Sequence, residues 1–164
     1  MRLFIASPVI LDDYTYIKED FSGIIEGKWV EEENLHLTWV FLGDVKAIDP
    51  VIGKLNNIAP LVNEVNIAEL WYFGRSSKIF FAKAEEKMLY DKAREFKSAG
   101  FDIYRFKPHI TLCRINAIHD YKVYKEILKS YREKTLGKIL PMISLYESKL
   151  TKKGPLHERK FDVK

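Results

Sequence analysis

Two short motifs put the same pair of chemically capable side chains into matching surroundings. His36-Leu37-Thr38 lies in Asn34-Leu35-His36-Leu37-Thr38-Trp39-Val40-Phe41-Leu42-Gly43, and His109-Ile110-Thr111 lies in Phe106-Lys107-Pro108-His109-Ile110-Thr111-Leu112-Cys113-Arg114. The histidines stand 73 residues apart in a chain of 164. Each triplet opens an apolar, β-rich segment. On a strand, residues i and i+2 share a face, so His36 projects with Thr38 and His109 with Thr111, while Leu37 and Ile110 turn towards a core.

Two imidazoles and two hydroxyls form a useful set. One neutral imidazole can take a proton from water, one imidazolium can hand a proton to a leaving alkoxide, and each threonine can donate to a nonbridging phosphate oxygen. Histidine is suited to both roles because its ordinary pKa keeps both forms available near neutrality. Such a set suffices for in-line hydrolysis of a phosphodiester without a metal. Arg114, five residues beyond His109, has a planar fork that can clamp phosphate oxygens. Its odd spacing puts it on the opposite face of an ideal strand, so it needs a bulge or the strand's end to reach the same site. Phe41 and the run Trp71-Tyr72-Phe73 can stack on a nucleobase or fill a core. The bland alternative for the triplets is a pair of structural histidines hydrogen-bonded by neighbouring threonines.

Strands and helices alternate around these motifs. Leu3 to Ala6 reads as a short buried strand ending before Pro8. Asp12 or Asp13 can cap a helix with Tyr14, Ile17, Phe21, Ile24 and Ile25 on its apolar face, stopped by Gly27. Leu35 to Leu42 is a strand with Gly43-Asp44 as its turn, and Asp49-Pro50 suits the N-cap and first residue of a second helix. Val65 to Phe73 and Lys78 to Ala84 flank Gly74-Arg75-Ser76-Ser77, a hairpin signal. A third helix buries Leu89, Ala93 and Phe96 and ends at Gly100. Ile110 to Ile115 is a strand, and Asp120 caps a fourth helix. Ile139 to Leu150 and Leu156 to Val163 close the chain as strand-like runs. This pattern predicts an α+β fold with largely antiparallel sheets, and residues 1–164 show no linker at which to divide them.

Composition narrows the classes. Hydrophobic residues make up 47% of the chain, too many for a disordered one. Leu3 to Leu11 is uncharged but only nine residues long, too short to span a bilayer. Cys113 is the single cysteine, which excludes an intrachain disulfide and a cysteine zinc cluster. Neither a P-loop nor a dinucleotide-binding glycine pattern occurs, which disfavours ATP-driven chemistry. Residues 1–104 carry a balance of −5 and residues 105–164 one of +9, so the C-terminal third suits a phosphate or RNA partner; the bland alternative is that lysines on solvated helix faces supply most of it. Twenty lysines, seven arginines and no glutamine lean towards a thermophilic source. A cytoplasmic, monomeric protein without membrane attachment is expected.

The chain resembles the two-histidine (2H) phosphoesterases, in particular the branch of bacterial and archaeal RNA 2′,3′-cyclic phosphodiesterases also called 2′-5′ RNA ligases. The likeness rests on the paired H-x-T blocks, supported by Met1 to Ala6 and by Leu145 to Leu150 with Gly154. It implies a bilobal fold in which two largely antiparallel sheets face a central cleft about a pseudo-two-fold axis, with helices outside. It implies opening of a 2′,3′-cyclic phosphate to a 2′-phosphate, with 2′-5′ ligation as a further possibility. His36 is then the proton donor, His109 the proton acceptor, Thr38 and Thr111 hold phosphate oxygens, and Arg114 and Phe41 bind substrate. No cofactor and no metal is expected. The expected partner is RNA with a 2′,3′-cyclic phosphate end, or a cyclic nucleotide. Cys113 stands where alanine is common and His157 where a tyrosine is common, which leaves the role of His157 open. The competing hypothesis is a non-catalytic module that holds an RNA end or phosphate. His119, before the fourth helix, reads as a surface residue.

Overall fold

The computed structural model describes residues 1–74 and 78–164. The elements run β1 (Arg2–Leu11), α1 (Tyr14–Asp20), β2 (Ile25–Trp29), β3 (His36–Asp44), α2 (Asp49–Leu55), β4 (Val65–Phe73) and β5 (Ile79–Lys83). After these come α3 (Lys87–Ser98), β6 (His109–Ile118), α4 (Tyr121–Ser130), β7 (Thr135–Ile139), β8 (Ser144–Thr151) and β9 (Gly154–Asp162). A 3₁₀ turn, Glu32–Asn34, leads into β3.

Among the described residues every strand pairing is antiparallel, and the strands form two arms joined through β1. One arm is β3-β1-β8-β9 and the other β2-β6-β5-β4-β7. Leu3 to Ala6 pair with β8, whereas Val9 to Leu11 pair with β7. The first strand therefore continues through Pro8 instead of stopping before it. Proline has no N–H to give to a ladder, and it falls where β1 changes partners on that side. Its carbonyl still accepts from the Leu140 N–H at 2.9 Å.

The helices cover the outer faces of the arms. Phe21, following α1, packs on Phe80 of β5 and Tyr124 of α4 with ring centres 4.7 and 5.9 Å apart. On the other arm, Trp39 of β3 stacks on Phe96 of α3 at 5.6 Å. Lys54 of α2 donates to the Gly100 carbonyl at 3.0 Å, tying α2 to the end of α3. Gly100 itself has φ +100°, as expected of a glycine that ends a helix. Asp120 caps α4, its carboxylate accepting from the Val123 N–H at 3.1 Å. No described helix is long and apolar enough to cross a membrane.

Some local expectations need correction. Ile24, Ile25 and Gly27 do not extend the first helix. α1 ends at Asp20, Gly23 turns the chain with φ +78°, and Ile25 and Gly27 belong to β2. The spacing of Phe21 and Ile25 fits a helical face equally well, so the pattern could not separate the two. Gly27 is a close-approach glycine: a Cβ there would collide with the Arg114 carbonyl and come within 2.8 Å of Cys113 Sγ. Asp13 occupies the cap position of α1 but makes no side-chain cap bond, and α2 is preceded by Ile48, with Asp49 its first residue. β3 runs through Gly43 to Asp44, because both remain paired with β1. Ile139 to Leu150 divides into the end of β7 and β8, the break lying around Pro141. β4 and β5 pair as the expected hairpin arms, but Arg75, Ser76 and Ser77 of its turn lie outside the described residues.

Gly27→Val forces β2 away from β6 and is expected to destabilise the fold by about 2 kcal/mol. Thermal or denaturant unfolding measures the loss; wild-type stability would contradict the close packing described.

Candidate active site

His36 is the first residue of β3 and His109 the first of β6. Each ring turns back on its own chain. His36 Nδ1 lies 2.6 Å from the Asn34 carbonyl oxygen, and His109 Nδ1 lies 2.7 Å from that of Lys107. A carbonyl can only accept, so Nδ1 must carry the hydrogen in both rings, and the neutral form has its lone pair on Nε2. Pro108 favours an extended Lys107 and so helps to direct that carbonyl.

The two strands share a further irregularity. Between Ile5↔Val40 and Ala6↔Thr38 the register of β1 on β3 skips Trp39. Between Phe80↔Cys113 and Phe81↔Thr111 the register of β5 on β6 skips Leu112. Each is a bulge three residues after the histidine, and each buries two consecutive residues, Trp39-Val40 and Leu112-Cys113. The extra residue reverses the alternation, so position i+5 returns to the histidine's face. That position is Phe41 in one strand and Arg114 in the other, which gives Arg114 the bulge its spacing required.

His36, Thr38, Phe41, His109, Thr111 and Arg114 all line one cleft of about 640 Å³. Among the described residues of the lining, Arg2, Lys28 and Lys153 add positive charge to that of Arg114, against the carboxylate of Glu31. The basic C-terminal third supplies Arg114 and Lys153, while Arg2 and Lys28 come from the acidic part of the chain. The excess of cations favours an anionic ligand.

Burial lowers the His36 pKa to about 4, with repulsion from His157 and His109 adding to the effect and the Asn34 hydrogen bond opposing it. His109 is also lowered by burial, with the Lys107 carbonyl pulling the other way. Both rings are therefore neutral at pH 7, each with a bare Nε2.

His157 of β9, left open by the sequence, also lines the cleft. Its ring stands nearly perpendicular to His36 with centres 5.4 Å apart, and 4.9 Å from Phe4, which stacks on Tyr146 at 5.3 Å. The only signal was its place on a strand just after the Gly154 turn; which face it used depended on pairing with β8. Phe41 is 77% exposed at the rim. Trp71 and Tyr72 are absent from the cleft lining, and Phe73 touches the site through the edge of His109, with ring centres 4.9 Å apart. Cys113 is buried and its thiol is pushed up to about 12, so it is no nucleophile. His119 is exposed, 3.5 Å from a Glu26 carboxylate oxygen. Among the described residues, no group of three or more His, Cys, Asp or Glu side chains is arranged to hold a metal ion.

No family model matches the chain. It is 30% identical to the RNA 2′,3′-cyclic phosphodiesterase of Methanocaldococcus jannaschii, an alignment covering 96% of this chain and 97% of that one. It is also 30% identical to the protein of the same name from Aquifex aeolicus, over 94% and 90% of the two chains. The fold is similar to that of TT0787 of Thermus thermophilus, with a TM-score of 0.69, 23% identity and coverage of 99% and 98%. It is likewise similar to E. coli LigT complexed with 3′-AMP, with a TM-score of 0.69, 19% identity and coverage of 98% and 95%. Its kinship with the archaeal and bacterial enzymes extends over nearly the whole length of both chains, and the protein belongs to the RNA 2′,3′-cyclic phosphodiesterase family of 2H phosphoesterases.

Proposed function

We propose that this protein hydrolyses the 2′,3′-cyclic phosphate of an RNA end or a nucleoside to a 2′-phosphate, by metal-independent acid–base catalysis in the cleft between β3 and β6. The observation that carries this reading is the matched setting of the two histidines, each with Nδ1 committed to a backbone carbonyl and Nε2 left for proton transfer. The name shared by the relatives supports the substrate class.

In the proposed reaction, His109 Nε2 takes a proton from water as its oxygen attacks phosphorus. The P–O3′ bond breaks, and His36 gives the proton on Nε2 to the departing O3′. Thr38 and Thr111 donate hydrogen bonds to the nonbridging oxygens, Arg114 holds the phosphate charge, and Phe41 offers its face to the base. The products are a 2′-phosphate and a free 3′-hydroxyl. His109 ends protonated and His36 neutral, and solvent exchange resets both. A 5′-hydroxyl attacking in place of water would make the same site a 2′-5′ ligase. Residues 1–164 act as one two-lobed unit in this scheme, since each arm contributes one histidine.

The low pKa of His36 is consistent with an acid role once substrate is bound. A phosphate anion beside Nε2 favours imidazolium and opposes the effect of burial. The proton gained on binding is then held by a weakly basic ring that releases it readily.

His36→Ala and His109→Ala are each expected to lower kcat by at least about 10²-fold, while wild-type activity persists in a strong chelator. Product analysis with a 2′,3′-cyclic-phosphate-ended RNA is the measurement. Full turnover by either variant would refute the assignment, and binding without turnover by the wild type would favour a passive RNA-end module. The two roles separate on a substrate whose bridging O3′ is replaced by sulfur, because a thiolate departs without a proton donor. Such a substrate is expected to restore activity to His36→Ala and not to His109→Ala; the reverse pattern would exchange the roles.

Anion binding should also be linked to protonation. His36 is neutral above about pH 4, and a bound anion raises that value, so binding takes up a proton as pH falls below neutrality. Affinity for sulfate, whose own charge is constant here, is expected to be about ten-fold or more higher at pH 5 than at pH 7.5. Titration calorimetry in two buffers checks both the affinity and the proton uptake. A pH-independent affinity would show that the anion does not reach His36.

A further inference from the structure

The sheet face that bears His109 and Thr111 continues beyond the cleft. Thr111 is in register with Phe81 of β5, and Phe81 with Trp71 of β4. Trp71 thus lies two strand spacings, about 10 Å, from the strand that carries His109. Phe73, two residues along the same face, meets the His109 ring edge-on at 4.9 Å and stacks on Phe81 at 4.1 Å. Both Trp71 and Phe73 are only half-buried. β7 pairs with β4 over Val65 to Ala68, so among the described residues this end of β4 has no strand on that side.

Cations accompany the rings. Lys107 Nζ is 6.0 Å from the Phe73 centre, Lys83 Nζ is 5.4 Å from that of Trp71, and Lys125 Nζ of α4 is 5.9 Å from Trp71. Lys125 also donates to the Tyr72 hydroxyl at 2.5 Å. Glu69, 3.6 Å from Lys83, partly neutralises it. No carboxylate of the described residues pairs with Lys107 or Lys125, so these two retain charge for a ligand.

We propose that this strip is a binding track for single-stranded RNA on the 5′ side of the reacting end, with bases stacked on Phe73 and Trp71 and phosphates beside Lys107 and Lys125. The proposal rests on the phosphodiesterase reading and extends it from the terminal nucleotide to an oligonucleotide substrate. An RNA strand can leave a 2′,3′-cyclic terminus only through the 5′-oxygen of its last nucleoside, so it departs from the phosphorus in one direction. The row Thr111–Phe81–Trp71 provides a path along one wall. Aromatic faces accept any unstacked base, and lysines beside them neutralise the backbone, the combination by which proteins hold single strands without reading sequence.

The test compares a 2′,3′-cyclic mononucleotide with a tetranucleotide ending in the same group. Wild-type kcat/KM is expected to be about ten-fold or more higher on the tetranucleotide, and Trp71→Ala is expected to remove most of that advantage while leaving the mononucleotide unchanged. Trp71→Phe, which keeps a ring, is expected to restore it, and a thermal melt of each variant separates lost binding from lost folding. Equal effects of Trp71→Ala on both substrates, or no wild-type preference for the longer one, would overturn the track. If neither substrate is turned over, the reaction reading fails on its own. Direct titration with a 3′-phosphate-ended tetranucleotide then decides the track: weaker, less salt-dependent binding by a Trp71→Ala, Lys125→Ala double variant supports it. Unchanged affinity would overturn it and leave the aromatic face to another kind of partner.

Discussion

Because Leu3 to Ala6 pair with β8 while Val9 to Leu11 pair with β7, β1 is a structural member of both arms of the sheet. On its other edge it pairs with β3, at whose start His36 stands. Through β7, β4 and β5 it connects in turn to β6, at whose start His109 stands. The middle of the strand is correspondingly inaccessible: Ile5, Ala6 and Ser7 have no solvent exposure. The one polar side chain in that stretch is satisfied, since the Trp39 indole N–H donates to Ser7 Oγ at 2.8 Å. That bond joins β1 to β3, and Trp39 in turn stacks on α3. A buried hydroxyl without this partner would carry a desolvation penalty of about 1–3 kcal/mol. The relative position of the two imidazoles is thus held by continuous hydrogen-bonded sheet.

Within that frame, the same local construction is used twice. An imidazole anchored by Nδ1, a threonine two residues on, and a bulge that returns the fifth residue to the same face occur in β3 and again in β6. The copies then differ where asymmetry is chemically useful. Position i+5 is Phe41 in one and Arg114 in the other, an aromatic face against a guanidinium. The neighbours differ too, since His36 has His157 against its ring and His109 has Phe73. A second imidazole beside His36 disfavours its protonated form, whereas a phenyl edge beside His109 adds no charge. Two equivalent frames therefore hold two imidazoles in unequal surroundings, as the proposed reaction, which removes a proton at one side of phosphorus and delivers one at the other, requires.

Much of this was legible in the sequence, for a physical reason. Alternation along a strand has a fixed period, so His36 with Thr38 and His109 with Thr111 were bound to project together wherever those segments were extended. Caps and breakers were similarly local: Asp120 bonds the Val123 N–H, and Gly100 adopts the positive φ that ends α3. The readings that needed correction involve signals that two structures share. Phe21, Ile24 and Ile25 suit a helical stripe, yet β2 forms because Gly27 lets it lie against β6 more closely than any side chain would allow. Pro8 looks like a strand terminator unless a change of partner strand removes the need for its N–H.

Residue types and spacing by themselves determined the two His–Thr pairs, the face on which each pair projects, and the fact that Arg114 needs a bulge to join them. Only the tertiary structure decided that the bulges exist, that His157 stands against His36, and that four cations gather around one cleft. Side-chain periodicity is set within a few residues by backbone geometry and is readable locally. Register, close approach and burial depend on which distant strands share hydrogen bonds, and they arise only when β1 has drawn both ends of the chain into one sheet.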